Sequence, residues 1–312
     1  MRTEQWRRKV LEVLVAVVKR KRAGTTSAAS GSGAVATTFA KIAPARAAQL
    51  FRWNRILAVL HGIQAIIIVA ISPTAAAVRF IGQYPAQGPV VNGMPTLTSA
   101  NELLFSFPLA YLVAAFFGLS ALAHFLVAFP LRKRYEGWLA REFNPMRWAE
   151  YALSSTLMII GIASLSGITD AGALIAIAVA NASMNLFGWS MEEANIGRKN
   201  VQWSHYIFGC IAGIAPWIAI FISFGLSLAH WPVGKLANGT DFEAFKGILI
   251  VIYVSLFVSF NIFAINMVLQ RRKIGKWADY LHGERSYMIL SLVAKTLLAW
   301  QVWSGVFQPG SN

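Results

Sequence analysis

The sequence has 312 residues, of which 56% are hydrophobic and only 13% are charged, about half the charged fraction of an ordinary soluble domain. This composition excludes a soluble globular domain and predicts several apolar runs of roughly 20 residues, each long enough to span a bilayer as a helix. The single cysteine, Cys210, excludes an intrachain disulfide, and the net charge of +15 indicates a basic membrane face rather than a nucleic-acid partner.

Residues 1–45 are predicted to be a basic cytoplasmic tail that precedes the first span. The first 23 residues place apolar side chains, from Trp6 to Val18, among Lys and Arg in a partly amphipathic stretch. Such a stretch either lies on the anionic inner leaflet of a membrane or acts as a targeting segment, because residues 24–48 are rich in Ala, Ser and Thr and contain no acid. A poorly ordered basic tail is the third interpretation.

Residues 46–310 are predicted to form one transmembrane domain, an all-α bundle of seven helices. Apolar length and flanking charge define the spans. The loop at residues 73–101 contains four prolines and three glycines and is expected to fold as a short β-hairpin over the extracellular face. The seven spans are expected at residues 56–72, 103–130, 148–168, 171–190, 203–229, 245–269 and 286–307.

The distribution of the 28 Lys and Arg residues supports this count of spans. Twelve precede span one, five lie between spans two and three, two between spans four and five, and five between spans six and seven. With seven spans, these 24 residues all fall on one side of the membrane, and only Arg79, Lys235 and Lys246 fall on the other. Because positive charge marks the cytoplasmic face, we expect the N-terminus inside and the C-terminus outside.

Lys295 is the one basic residue expected inside a span. It lies about 10 residues into span seven and therefore about 15 Å deep, near the bilayer midplane. A charged lysine at that depth is unfavourable by at least about 2.5–3.5 kcal/mol. It needs either a counter-anion or a covalent change such as a Schiff base with an aldehyde. A snorkelling or structurally paired lysine is the alternative interpretation.

Glu150, one helical turn into span three at the cytoplasmic end, is the candidate anion. Helical side chains lean toward the N-terminus, so Lys295 leans toward Ser291 and toward the level of Glu150. Glu150 is expected to be shallower than Lys295, and the long lysine side chain together with an earlier start of span three would close this gap. If they do not close it, Glu150 is an interfacial acid. Three residues recur at helical spacing with Glu150 and are expected to face inward: Ser154, Ser155 and Met158.

Several other polar residues lie inside the spans or close to their ends. His61 in span one and His124 in span two either relay a proton or are hydrogen-bonded packing residues. Four asparagines are expected to hydrogen-bond between helices: Asn181, Asn185, Asn261 and Asn266. Six residues near span ends are expected to be solvated: Glu102, Glu192, Glu193, His205, His230 and His282.

Aromatic residues are concentrated in the last two spans. Span six is rich in Phe, and span seven carries Trp300 and Trp303. Apolar aromatic walls suit a long polyene, although such stripes also serve plain packing. The sequence contains no Gly-rich phosphate loop, no His/Cys set at metal-ligand spacing and no plausible catalytic triad. We therefore expect neither enzyme activity nor a bound metal.

Three strings resemble heliorhodopsins. Ser291-Leu-Val-Ala-Lys295-Thr-Leu-Leu-Ala-Trp300-Gln301 resembles the final helix of that family, and Arg147-Trp148-Ala149-Glu150-Tyr151 resembles its third helix. Met184-Asn-Leu-Phe-Gly188 with Met191-Glu-Glu-Ala-Asn195 resembles the end of its fourth helix. The strings occur in order with suitable spacings, so the resemblance covers roughly residues 46–308. It does not cover the first 45 residues, which are longer than is usual in the family.

The resemblance implies an inverted topology, with the N-terminus inside, and all-trans retinal as the cofactor. It implies that Lys295 binds retinal as a protonated Schiff base, with Glu150 as its counter-ion and Ser291 beside it. His61 and His124 match a pair of histidines in a polar cavity that is a candidate proton acceptor. Four further residues are assigned to the retinal site: Ser154, Ser155, Met158 and Trp300.

The resemblance also implies a light sensor with a slow photocycle, no ion pumping and a homodimeric state in the lipid bilayer. The sequence supports the absence of pumping because the outer halves of the spans contain few protonatable groups. A light-driven proton or ion transporter or channel is the first alternative. The second is a membrane protein that regulates a soluble signalling partner, not yet identified, at the basic cytoplasmic face.

Overall fold

The computed structural model describes residues 41–234 and 242–307, so most of the tail at 1–45 lies outside the described residues. Within these ranges, seven helices are long and apolar enough to cross a membrane. This confirms the predicted seven-helix bundle. The helices are α1 (Pro44–Ile71), α2 (Leu109–Ala128), α3 (Pro145–Leu165), α4 (Ala171–Ala194), α5 (Ser204–Ala229), α6 (Phe242–Arg271) and α7 (Tyr280–Val302).

Three shorter helical segments accompany the bundle. A short α-helix, Arg132–Leu139, lies between α2 and α3. A 3-10 turn, Gly275–Ala278, precedes α7, and a π-helical turn, Trp303–Phe307, follows it. The π-helical turn follows α7 directly, whereas Asp279, whose backbone is extended, separates the 3-10 turn from the start of α7.

The starts of the helices follow from their capping residues. Asn144, Asp170 and Asp279 cap α3, α4 and α7, and each side chain accepts a backbone N–H of the first turn, at 3.2, 2.7 and 3.1 Å. Proline occupies the first turn of α1 (Pro44) and of α3 (Pro145), where its missing N–H leaves no helical bond unmade. The proline of α3 gives span three the earlier start that would bring Glu150 closer to Lys295.

Three of the expected span starts are wrong by more than one helical turn. Helix α1 begins at Pro44 rather than at residue 56, and α7 begins at Tyr280 rather than at residue 286. Apolar length alone misses the first turns because those turns carry polar and charged residues. Helix α2 begins at Leu109 rather than at residue 103, because residues 103–108 belong to a strand.

The connection between α1 and α2 is a long antiparallel hairpin. Strand β1 (Ala77–Val91) pairs with β2 (Met94–Pro108), each 15 residues long. Asn92 and Gly93 join them with φ of 53° and 76°, the positive values that a tight two-residue hairpin turn requires. The predicted hairpin is confirmed, but it is not short. It includes the apolar residues 103–108. The sequence assigned these residues to span two, because an apolar run of that length does not distinguish a strand from a helix.

The hairpin is attached to the bundle at its base. The Leu109 N–H donates to the Ala76 carbonyl at 2.9 Å, and the Ile81 N–H donates to the Thr169 carbonyl, between α3 and α4, at 2.9 Å. Val78 is 1% exposed and belongs to the main hydrophobic core. The base of the hairpin therefore fixes one end of the bundle, called here the hairpin end.

The opposite end of the bundle is called here the basic end. At this end an ion pair of Arg46 with Asp279 joins the first turn of α1 to the start of α7, and the Arg132–Leu139 helix follows α2. Between the two ends lies a core whose largest fully buried side chains include Phe116, Phe117 and Ile159. The core fills the hairpin half of the bundle, so the polar groups described next are displaced toward the basic end.

Candidate functional site

Lys295 and Glu150 meet in the interior of the bundle. The Nζ of Lys295 lies 3.2 Å from Oε1 of Glu150, and the two side chains are 3% and 7% exposed. A buried charge is tolerated when an opposite charge lies beside it. The structure therefore brings together the two residues that the sequence proposed as a pair, and the depth gap between them is closed.

Two serines complete the surroundings of this pair. Lys295 Nζ donates to Ser291 Oγ at 2.7 Å, and Ser120 Oγ donates to Glu150 Oε1 at 2.5 Å. The ring of Tyr151 lies 5.3 Å from Lys295 Nζ. Hydrogen bonds to a charged group are stronger than those between neutral groups. Ser120 thus holds the Glu150 carboxylate in the orientation that faces Lys295.

A cavity of about 560 Å³ opens beside Lys295 and extends between α3, α4, α5 and α6. Cavities that hold small cofactors are typically about 300–1,000 Å³ and mostly apolar. Sulfur and aromatic side chains form much of this wall, among them Met158, Met184, Trp217, Phe260 and Phe263. Lys295 and Ser291 are also part of the lining. The cavity has the size, the apolar wall and the amine that retinal would need.

A pair of histidines from α1 and α2 lies near the ion pair. The rings of His61 and His124 stack with centroids 5.7 Å apart, and Nδ1 of His124 shares a hydrogen bond of 2.7 Å with Asn54 Oδ1. Both ring nitrogens of His61 are buried and have no hydrogen-bond partner among the described residues. The structure brings the two histidines together, as the sequence suggested.

A space of about 40 Å³ lies on the basic-end side of this histidine pair. Its lining includes Glu150, His124, Asn144 and Tyr135. A space of that size is large enough for a water molecule. Burial raises the pKa of Tyr135 to about 12, so its hydroxyl is neutral at physiological pH. The lining thus offers hydrogen-bonding groups between the pair and the basic end.

Four charges at the basic end form a buried ion-pair cluster that the sequence did not reveal. Oε1 of Glu192 lies 2.5 Å from Arg147 Nη2 and 3.3 Å from Arg271 Nη2, and Glu284 pairs with Arg147. No side chain of the four is more than 5% exposed. The expectation that Glu192 is solvated is therefore wrong, and two further basic residues, Arg147 and Arg271, are buried at helix ends.

Neighbouring residues satisfy the remaining oxygens of the cluster. Oε2 of Glu192 accepts the indole N–H of Trp148 at 2.8 Å and the backbone N–H of Asn144 at 3.0 Å. The Asn144 amide also donates to Glu284 at 2.8 Å. Because the members come from α3, α4, α6 and α7, the cluster joins four helices at one point.

The other predicted site residues divide into two groups. Ser155 and Met158 line the large cavity, whereas Ser154 is fully buried outside its lining. Trp300 does not reach the cavity: it is 37% exposed and its ring packs 5.9 Å from that of Trp303. Five residues beyond Lys295 correspond to about 140° around a helix, which turns Trp300 away from the lysine.

Three of the four predicted interhelical asparagines are confirmed. Asn181 and Asn185 both donate to Ser155 Oγ, at 2.8 and 3.0 Å, and so connect α4 to α3. Asn266 of α6 donates to the Gly283 carbonyl of α7 at 3.3 Å. Asn261 instead donates to the carbonyl of Phe257 in its own helix, so the prediction for Asn261 is wrong.

Sequence reasoning missed three residues that contact the predicted site. They are Ser120, which holds Glu150; Asn54, which holds His124; and Tyr151, which lies against Lys295. A signal existed for two of them, since Ser120 precedes His124 by one helical turn and Asn54 precedes His61 by two. These spacings place each polar pair on one helix face.

Comparison with known proteins identifies a matching family and a similar solved structure. The sequence model of the heliorhodopsin family matches residues 50–307 of the chain. No curated protein sequence matches the chain. A similar solved structure is that of a light-driven proton pump, LR (Mac), from Leptosphaeria maculans, with 14% identity, a TM-score of 0.47, and coverage of 85% of this chain and 96% of that chain.

Proposed function

The chain belongs to the heliorhodopsin family, and from this membership and the site we propose a specific light-sensing mechanism for it. Membership implies a multi-pass membrane protein that binds retinal and senses light. We propose that Lys295 carries all-trans retinal and that light drives a slow cycle without ion pumping. The observation that carries the proposal is the buried Lys295–Glu150 pair at the wall of a large apolar cavity.

The cavity fits this cofactor because it combines one amine with a mostly apolar wall. When bound, retinal would supply the absorption of visible light and a bond that isomerises. Lys295 would attach it, and Met158, Trp217, Phe260 and Phe263 would enclose its chain. The hydroxyl of Ser291, 2.7 Å from Lys295 Nζ, orients the nitrogen.

Residues of the chain itself control the charge and the proton at this nitrogen. The carboxylate of Glu150 balances a positive charge on Lys295, and Ser120 fixes that carboxylate. His124 and Glu150 line the same small space. His61 stacks on His124, and its two ring nitrogens make no hydrogen bond within the described part of the chain. The two histidines are therefore the proposed acceptors for a proton that leaves the pair.

The position of the buried ionisable groups supports sensing without pumping. Among the described residues, every buried Glu, His, Lys or Arg lies at the level of Lys295 or between it and the basic end. Toward the hairpin end, the described side chains that hydrogen-bond from one helix to another are neutral, such as Thr296 with Gln64 and Gln301 with Ser255. An outward pump needs protonatable groups on both sides of the lysine. We further propose from the charge distribution that the basic end is cytoplasmic.

The decisive experiment is a visible spectrum of the protein expressed with all-trans retinal. We expect a visible band in the wild type and none in Lys295→Ala or in the matched variant Lys295→Arg, which keeps the charge but cannot attach retinal. A folded wild type without a band would overturn the proposal. Photocurrents under illumination then test the proposed absence of ion pumping. A steady current would show that the protein is a transporter or channel rather than a sensor.

A further inference from the structure

Trp148 is part of two structures at once. Its ring contributes to the wall of the large cavity beside Lys295. Its indole N–H donates at 2.8 Å to Glu192 Oε2, and Glu192 is the acid between the two arginines of the ion-pair cluster. A single rigid side chain therefore connects the proposed retinal cavity with the charges that join four helices.

The indole of Trp148 packs closely against α4. A Cβ atom added at Gly188 would overlap the six-membered ring of Trp148. Gly188 and Glu192 are one helical turn apart on α4, so the indole touches the same helix with its ring and with its N–H. The guanidinium of Arg147 also lies 4.8 Å from the ring centroid. Because the ring and the N–H contact the same helix, a displacement of the ring relative to α4 changes the bond to Glu192.

We infer that Trp148 is the positioning residue that transmits changes in the cavity wall to the ion-pair cluster. A shift of the indole lengthens or shortens its hydrogen bond to Glu192, which alters how Glu192 divides its contacts between Arg147 and Arg271. Those arginines belong to α3 and α6, so the shift changes the contact between two helices at the basic end. The inference rests on the proposed function, because retinal is what would fill and move the wall.

Trp217 provides a matched control within the same cavity. It also lines the wall, and it is 4% exposed. Its ring contacts are to Phe221, Phe257 and Phe260, on the side of α5 and α6, and no hydrogen bond joins it to the ion-pair cluster in the described structure. Replacing Trp217 thus perturbs the cavity wall without removing the hydrogen bond between Trp148 and Glu192.

The test is an infrared difference spectrum of the full-length protein, first retinal-bound minus retinal-free in the dark, then light minus dark. Glu192→Asp, which keeps the negative charge between the arginines, identifies the carboxylate band of Glu192. We expect that band to shift in the wild type and in Trp217→Phe, and the shift to be lost in Trp148→Phe. An unchanged shift in Trp148→Phe, or no shift in a wild type that has its visible band, overturns the inference.

A second variant tests the same contact without retinal. Gly188→Ala pushes the indole while leaving its N–H in place, and we expect it to shift the Glu192 band in retinal-free protein. Gly118→Ala is the control, since a Cβ there meets no atom within 4 Å. An unmoved Glu192 band in Gly188→Ala counts against the inference even where Trp148→Phe fails to fold. A wild type without a visible band would instead refute the proposed function.

Discussion

Lys295 of α7 and Glu150 of α3 face each other at 3.2 Å, with less than a tenth of either side chain exposed. The interaction between charges grows as the surrounding dielectric falls, from about 1 kcal/mol at 4 Å in water to about 4 kcal/mol at an effective dielectric of 20. Removing one partner leaves the other charge buried and unbalanced. The pair is thus the point at which a single substitution has the largest effect on the site.

Glu150→Gln should therefore change the absorption spectrum of the retinal-bound protein at neutral pH. The neutral amide cannot balance a positive charge on the Lys295 nitrogen, so we expect near-ultraviolet absorption in place of the visible band. Glu150→Asp is the control, because it keeps the charge and is expected to keep visible absorption. An unchanged visible band in Glu150→Gln would exclude Glu150 as the counter-ion.

Ser120→Ala should have a smaller effect of the same origin. It removes the hydroxyl that donates to Glu150 at 2.5 Å, and hydrogen bonds to charged groups contribute about 1.5–3 kcal/mol. We expect the visible band to persist at a shifted wavelength and the thermal midpoint to fall. Ser227→Ala, which removes an exposed hydroxyl bonded within its own helix, should leave both quantities unchanged. An identical response of the two variants would argue against a role for Ser120.

Arg147→Gln should destabilise the fold strongly. The change leaves Glu192 and Glu284 without their closest cation in a region no more than 5% exposed, and breaking a buried ion pair typically costs about 3–5 kcal/mol. Thermal unfolding in detergent measures the loss. Arg132→Gln is matched to it, because Arg132 pairs with Glu136 at the surface, where such pairs contribute about 0–1 kcal/mol. Equal midpoints for the two variants would refute the structural importance of the cluster.

Cys210 should report whether retinal fills the cavity. It is an exposed residue of α5 that also contributes to the cavity lining, and it is the single cysteine of the chain. We expect a membrane-permeant maleimide to label it faster in retinal-free than in retinal-bound protein, with Cys210→Ser unlabelled. Equal labelling rates would mean that retinal does not occupy the part of the cavity lined by α5.

The sequence predicts the bundle and the central lysine well because both depend on hydropathy. Seven apolar runs and one lysine in the last of them need no information about packing. Glu150 required a further assumption about depth, which the proline at the start of α3 satisfies. Trp300 was assigned to the cavity by resemblance, and the geometry of α7 turns it away from Lys295.

The ion-pair cluster could not be predicted in the same way. Arg147, Glu192, Arg271 and Glu284 all lie near helix ends, where charges are usually solvated. Their burial depends on four helix ends meeting at one place, which is a property of tertiary structure. The hairpin was underestimated for a related reason, since residues 103–108 are as apolar as a helix and only pairing with β1 makes them a strand.

The turn at Asn92 and Gly93 is a site outside the bundle where a short peptide can be inserted. Both residues have positive φ, and the flanking Val91 and Met94 are 52% and 69% exposed, so the chain there makes few contacts that an insertion would break. A short epitope placed between the two residues would leave the strand register intact. An antibody that cannot cross the membrane would bind it on intact cells if the hairpin faces outward, and only after permeabilisation if it faces inward, which gives the sidedness of the protein directly.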